Sequence, residues 1–487
     1  MLAGSAVTGR AFDSSATNSN PNTFIQLLDN FGRVVDVPPD QFHPSLLPPS
    51  DLGLTHQTPN PIPGMRMADP VQDRIEAGRQ ATDDWQFLPA ARPHLPSYLA
   101  SIDGYGDTAL RPGALIPFVP LDTVVQGGKY WLAERGFRYS LQQSFTGIGM
   151  SEVMQGSRSM GFYSLDLHAK WAVVKVPSPT TTGWISTQIE AKSGLGAAGA
   201  TQSPKSNLGT LTEANYNWSS HNGFRIPEVA WQQSMRGGEV VVLAGMVSQR
   251  NYIDGNAAAH SAYGLFLNSA LVHSQVLPLA DSNWGINLQW QPADEWYAMV
   301  GGSVGDTPPG SAPWTDFTRS TWSAVGEVGF APRDFLGLGP GIYRIQPFMA
   351  RTGGPTQGGV GFNLQQHLGA NSPVAWFGRF GVGGSAVTPG AAKQIGTGIL
   401  LQGPLKVAGL VPRLSNDLVG QAFIWSQPAD TTKTVHHENE YVVETFYTLQ
   451  LTPTMKLQPD LQVVLNPAFN PAAGPALVAQ LQLSLAW

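Results

Sequence analysis

The chain has no cysteine in 487 residues, which excludes disulfides, thiolate zinc sites, iron–sulfur clusters and cysteine nucleophiles, and fits export through an oxidising compartment. Charge is scarce too. Only 13% of residues are Asp, Glu, Lys or Arg, against about 25% in an average soluble chain. Gln, Asn, Ser and Thr, with 54 Gly and 39 Pro, replace the missing charges, a surface unusual for a cytosolic enzyme. A formal net charge of -6 without a basic cluster removes nucleic acid from the expected partners and leaves no polybasic stretch for anionic lipid. The longest apolar run, Val240 to Val247, is far short of the ~20 residues of a transmembrane helix. The opening MLAGSAVTGR has neither the basic nor the apolar region of a signal peptide, so export is argued from the rest of the chain.

Proline is concentrated. Residues 1–110 hold 13 of the 39, in runs such as Val37-Pro38-Pro39 and Asn60-Pro61-Ile62-Pro63, and proline at that density blocks helix interiors and sheet ladders alike. The reading is a proline-rich N-terminal arm over 1–110, with one short helix near Thr23–Asn30 where Phe24, Leu27 and Leu28 share a face. Phe42, Trp85, Phe87, Leu88, Leu95 and Tyr98 give the arm anchors that a flexible linker would not need.

From Phe137 the texture becomes period-2 alternation broken by Gly, Pro and Asn, the mark of strands with one apolar face. In FYSLDLHAKWAVV, Tyr163, Leu165, Leu167, Ala169, Trp171 and Val173 oppose Ser164, Asp166, His168 and Lys170. The final strand alternates Leu477, Ala479, Leu481, Leu483, Leu485 and Trp487 with Gln480, Gln482 and Ser484. About 16 such segments occur, an even number, as in single-chain bacterial barrels. Short breaks such as 177–182, 236–238, 291–294 and 452–454 contrast with long ones at 147–161, 193–225, 249–283 and 305–319. Short turns on one rim and long loops on the other are the transmembrane-barrel pattern, with the turns periplasmic. Trp171, Trp184, Trp284, Trp290, Trp296, Trp322 and Trp487 are expected in interfacial girdles, with Trp376 and Trp425 also at strand ends. A soluble β-sandwich is the competing architecture, but it would not carry charges and glutamines at the centres of long strands.

Motifs for chemistry fail on context. Gly194 to Gly199 has the letters GxGxxG, but Pro204 is expected to stop the helix that would seat a pyrophosphate. Gly301-Gly302-Ser303-Val304-Gly305 has the letters of a nucleophile elbow with no helix behind it. His436-His437-Glu438 could place at most His436 and Glu438 on one face of a strand. No catalytic residue, metal or cofactor is therefore nominated, although triads are geometric and an outer-membrane lipase or a soluble carbohydrate-active protein stays a rival.

What remains is the inward face: Arg138, Asp166, His168, Lys170, Glu190, Arg344, Arg379, Glu440, Glu444, Lys456 and Asp460, interspersed with glutamines. Both signs occur in similar number, which disfavours strong ion selectivity and offers donors and acceptors to a neutral polyhydroxylated solute. The alternative for each residue is that it merely solvates a wide channel.

The run Glu440-Tyr441-Val442-Val443-Glu444-Thr445-Phe446-Tyr447, then Thr452-Pro453, Leu457-Gln458-Pro459-Asp460-Leu461-Gln462 and Asn466-Pro467, resembles the carbohydrate-selective porins of the OprB type. Leu132-Ala133-Glu134-Arg135-Gly136, Phe266-Leu267-Asn268-Ser269 and Trp284-Gly285 extend the likeness over roughly 127–487. The resemblance implies a 16-stranded barrel over 111–487 in the bacterial outer membrane, bounded by lipid and passing mono- and oligosaccharides by facilitated diffusion, with loops folded inward as a constriction. The proline-rich arm departs from that pattern. It suggests a homo-oligomer or an envelope protein partner, and hence a structural barrel with little transport as the second reading.

Overall fold

The computed structural model describes three short strands before residue 38 and most of residues 114–487; the larger stretches outside the description after 114 are 176–181, 197–201, 219–222, 306–320, 385–389 and 430–436. Nearly all of the arm, with Phe24, Trp85 and Tyr98, lies outside the described residues, as does His436. Where the sequence suggested a helix at Thr23–Asn30, the chain forms a strand. β1 (Thr8–Gly9), β2 (Ile25–Leu28) and β3 (Val34–Val37) make an antiparallel sheet in the order β1-β2-β3, because Ile25 to Leu28 pair with the β-branched run Val34-Val35-Asp36-Val37.

The other sixteen strands close on themselves: β4 (Phe137–Met150), β5 (Ser159–Lys175), β6 (Thr182–Leu195), β7 (Gly223–Met235), β8 (Val240–Val247), β9 (Asn283–Ala293), β10 (Trp296–Val304), β11 (Trp322–Phe330), β12 (Gly341–Arg351), β13 (Gln357–His367), β14 (Val374–Gly383), β15 (Ala391–Gln402), β16 (Leu418–Pro428), β17 (Glu440–Gln450), β18 (Met455–Leu465) and β19 (Ala476–Ala486). Each pairs antiparallel with its sequence neighbours, and β19 closes the barrel on β4 with Ala486 opposite Gln142. Trp487 completes the seam by exchanging both backbone hydrogen bonds with Leu141, at 2.7 and 2.9 Å. No open edge is left in the wall, so every strand's backbone groups are satisfied without water.

Alternation decides which face lies inside. In β19 Val478, Gln480, Gln482 and Ser484 are buried while Leu477 and Leu481 are exposed, and the same split runs round the barrel. The outward leucines, valines and isoleucines form the band a bilayer would cover.

The two rims differ as expected, with three corrections. The first long connection is shorter than the alternation suggested, 151–158, because β4 and β5 run on to Met150 and back from Ser159. On the long-loop rim 352–356 is brief, and on the short-turn rim 403–417 is not, since a helical turn at Pro404–Val407 is inserted there. Pro204 does not stop a helix but opens one, Pro204–Leu208. Its missing N–H costs nothing at the first helical position, and Ser203 caps the Ser206 amide.

Loops 196–222 and 248–282 are buried or half-buried wherever they are described, apart from a few exposed side chains near the first loop's start. They turn into the barrel and carry its core with them. Phe266 and Leu271 from the second loop pack on Phe377, Leu400 and Phe446, which break the polar pattern by pointing inward. Phe266 meets Phe446 edge to face at 4.8 Å. Gly420 makes room, since a Cβ there would lie 2.4 Å from the Phe446 ring and 2.9 Å from the Phe266 ring. Leu211 of the first loop and Ile253, Val276 and Leu277 of the second form another cluster on Val325 and Phe348 of the wall.

Candidate functional site

The site is the lumen where these two loops meet the wall, and several inward charges hold a loop. Glu440 accepts from the backbone N–H of Leu211 at 2.7 Å and of Ala468 at 3.0 Å, tying loop 196–222 to the connection before β19. Glu444 accepts from the N–H of Leu267 at 2.5 Å and of Asn268 at 3.1 Å, just ahead of the short helix Ser269–Val272. Thr448 donates to the Gly264 carbonyl at 2.8 Å and Gln458 to that of Leu265 at 2.6 Å. Lys456 runs beside Gly264, and Asp460 accepts from Gln462 and Gln480.

On the far side the tie point is Asp254, which holds a positive φ of 66° in the Asp-Gly turn. Its Oδ1 accepts from Arg379 Nε at 3.2 Å and Asn363 Nδ2 at 2.6 Å, and its Oδ2 from the Ser274 N–H at 2.7 Å. Its own N–H donates to Glu327 at 3.0 Å, and its carbonyl accepts from Arg379 Nη2 at 3.0 Å. Arg379 also donates to the carbonyls of Leu271 and Ala259. Arg344 bonds Tyr297 Oη at 2.8 Å and approaches Glu327 to 3.7 Å. With Gln346 of β12 donating to Asp254 Oδ1 at 3.5 Å, one loop aspartate gathers β11, β12, β13 and β14.

The third group lies on β5, β6 and β7. Asp166 Oδ2 is 3.1 Å from His168 Nε2, Gln188 donates to Asp166 at 3.0 Å, and Lys170 is buried opposite Ser186. Arg138 sits opposite Lys170 in the β4–β5 register. In β7 the register shifts between Gln188/Glu228 and Glu190/Arg225, with Pro227 in the bulge. Arg225 and Glu228, three apart, would otherwise point to opposite faces; the extra residue turns both inward. Glu228 then receives Ser186 and Tyr252 hydroxyls at 2.6 Å each. Arg225 contacts Glu190 at 2.5 Å and Asp281 at 2.6 Å, and Lys192 stands 3.4 Å from Glu190. Unlike the anchors, these side chains keep water contact: 17% for Arg225, 31% for Asp281 and 14% for Lys192.

The loop groups have shifted protonation. Burial pushes the Glu213 carboxyl up to about 8 even though the Lys205 amide bonds it. Asp281, which burial alone would raise, is held below the ordinary carboxylate value by Arg225 and Arg250. Burial, with Arg379 nearby, depresses His260 to about 3. His260 and His273 pack edge to face at 4.6 Å, and His273 meets Tyr216 of the other loop at a tilt, with ring centres 5.1 Å apart.

The sequence reading missed Arg225, Glu228, Asp254, Asp281 and Glu327. Glu327, a lone acid in the apolar and glycine-rich strand Trp322–Phe330, was the readable signal; the bulge and the loops were not. Of the tryptophans, Trp171, Trp290 and Trp296 are exposed at the short-turn rim, Trp376 and Trp487 end there, and Trp284, Trp322 and Trp425 stand at the opposite ends of their strands. Trp184 departs from the expected girdle: it lies opposite Ala172 and Gln232 on the inward phase of Ser186, Gln188 and Glu190.

A family described as carbohydrate-selective porin, OprB family, matches residues 183–486. Among curated proteins the chain is similar to Porin AaxA of Chlamydia abortus, 28% identical over 45% of this chain and 48% of that protein, and to Porin AaxA of Chlamydia felis, 26% identical over 59% and 60%. It spans about half to three-fifths of the length of these relatives. Among solved structures it is similar to the high-pH structure of Pseudomonas putida OprB, with a TM-score of 0.61 at 16% identity over 74% of this chain and 96% of that one, a likeness of fold.

Proposed function

The chain belongs to the OprB family of carbohydrate-selective porins, and from that premise we propose that it passes neutral mono- and oligosaccharides across the bacterial outer membrane by facilitated diffusion. Solute moves along the path left beside the two inward loops. The observation that carries this reading is the mixed-sign group of Lys192, Arg225 and Asp281 around the buried Glu190, whose three outer side chains keep 14%, 17% and 31% exposure while the wall carboxylates Glu327, Glu440 and Glu444 are buried and taken up by loop amides. Guanidinium and ammonium donate to sugar hydroxyls and carboxylates accept from them, so a neutral polyol finds complementary partners. A small ion of either sign meets a cluster that is nearly balanced. The contacts expected from sequence thus shift toward these four residues, with Asp166, His168 and Lys170 as the next layer.

Single-channel conductance in planar bilayers, with a series of neutral sugars added, tests this. Saturable, concentration-dependent block is expected. A channel blind to every sugar, or a barrel that conducts nothing, refutes it.

A further inference from the structure

The segment ahead of the first barrel strand follows the short-turn rim. Leu115 and Ile116 donate backbone N–H groups to the carbonyls of Gln450 and Leu451 at 2.9 and 2.8 Å, so it starts beneath the β17–β18 turn. The Gly136 carbonyl accepts from Ala172 N–H at 2.8 Å, so it ends beside β5. Between them, residues 121–132 are helical wherever they are described.

This helix is inside out for a protein surface in water. Leu121, Val124, Gly128, Trp131 and Arg135 recur at the three-or-four spacing of one stripe, and all are exposed, Val124 by 72% and Trp131 by 52%. On the other side Lys129 is buried, with 8% exposure, and Val125 and Leu132 are partly covered. Lys129 Nζ stands 5.0 Å from the centre of the Tyr139 ring. Tyr139 is paired with Ala169 on the outward phase, two residues from the exposed Trp171, which places the helix against the outside of the wall. Arg135 lies over the Trp131 ring at 3.8 Å and donates to the Trp131 carbonyl at 2.9 Å, a cation and an indole held together at one level.

We propose that residues 121–132 form an interfacial helix in the phospholipid leaflet on the short-turn side, with the Leu121–Val124–Trp131 stripe among acyl chains and Arg135 at headgroup height. Two observations select lipid as the occupant: the stripe continues the exposed aromatic band of Trp171 and the barrel's outward face, and its only described charge is a cation beside a tryptophan. The proposal rests on the barrel spanning a membrane.

Because the chain has no cysteine, single labels can be placed without other changes. Val124→Cys carrying a nitroxide is reconstituted in phosphatidylethanolamine–phosphatidylglycerol vesicles, and its accessibility to oxygen and to a neutral nickel chelate is read by power saturation. Leu481→Cys on the outward wall and Glu152→Cys in the exposed loop 151–158 are the lipid and water references. The Val124 label is expected to match Leu481, with oxygen access and loss of nickel access. Nickel access equal to that at Glu152 overturns the proposal, as does protection from both reagents, which means that protein covers the stripe. Leu121→Cys gives the same reading if the first variant fails to fold. If Leu481→Cys itself reads as water, the membrane barrel falls rather than the helix.

Discussion

Asp254→Asn tests whether the constriction is hung from its charges. The substitution keeps the side chain's shape and the tolerance for a positive φ, and it removes only the charge facing Arg379, which is 1% exposed. Removing one partner of a buried ion pair costs about 3–5 kcal/mol, because the remaining charge has no solvent to fall back on. At ~4 kcal/mol the equilibrium that seats loop 248–282 shifts by roughly a thousandfold. Arg379 and Asn363 lose their charged acceptor and keep only the weaker backbone and amide ties at residue 254, while the Glu444 and Thr448 ties on the far side hold the loop's other half. The loop should therefore swing rather than unfold. Planar-bilayer recordings should show larger and noisier unit conductance, and liposome-swelling assays should admit larger oligosaccharides. Replacing Arg379 by Met in the same chain removes the orphaned charge, so the double variant should recover thermal stability relative to Asp254→Asn. Unchanged conductance and unchanged stability in the single variant would refute the tie. A double variant no better than the single would show that the cost lies elsewhere.

Glu444→Ala leaves the buried N–H groups of Leu267 and Asn268 without their acceptor, about 1–3 kcal/mol each, and hydrogen exchange should quicken over 262–272 with the wall unaffected. The loops should answer pH in opposite senses. Glu213 is raised in the folded loop, so its contribution is full below its ordinary value of 4.5 and is lost as pH rises toward about 8; Glu213→Gln should flatten that slope in exchange rates over 202–218. His260 is depressed, so its contribution is full above 6.5 and is lost as pH falls toward about 3, loosening 248–282 in acid, and His260→Gln should weaken that acid limb and leave the part that the likewise depressed His273 contributes. Arg225→Ala removes a charged donor from the cluster and should weaken sugar block roughly tenfold, equivalent to about 1.5 kcal/mol, while conductance rises; block unchanged within a factor of two counts against the cluster.

The wall was legible because its physics is local. Sixteen alternating segments, each ended by Gly, Pro, Asn or polar residues, correspond to the sixteen strands from Phe137 to Ala486. The helix expected at Thr23–Asn30 went wrong for a non-local reason, since its partner Val34–Val37 favours a hairpin that three apolar residues on a helical face do not foresee. The loops were illegible in kind. Residues 248–282 have no period of their own, and their shape is set by acceptors and donors on strands a hundred or more residues away, such as Asn363, Arg379 and Glu444. Phe377 and Phe446 point inward against the alternation because Phe266 and Leu271 arrive to cover them.

That dependence explains why a mixed-sign inward face is an ambiguous sign of solute binding. A carboxylate at a strand centre can accept from a sugar hydroxyl or from a loop amide, and the sequence pattern is the same. The fold separates the two by competition: where a loop covers a carboxylate, as on the fully buried Glu444, backbone N–H groups fixed at 2.5–3.1 Å take it out of reach of a mobile solute. Where the charges are left partly uncovered, at Arg225 and Lys192 of the wall and at the loop's own Asp281, water remains and a hydroxyl can replace it at little cost. On the proposed reading, selectivity belongs to the charges that the loops leave uncovered, and the covered charges determine which those are. Substituting an anchor should change which oligosaccharides fit, whereas substituting the cluster should change how tightly a fitting sugar is held.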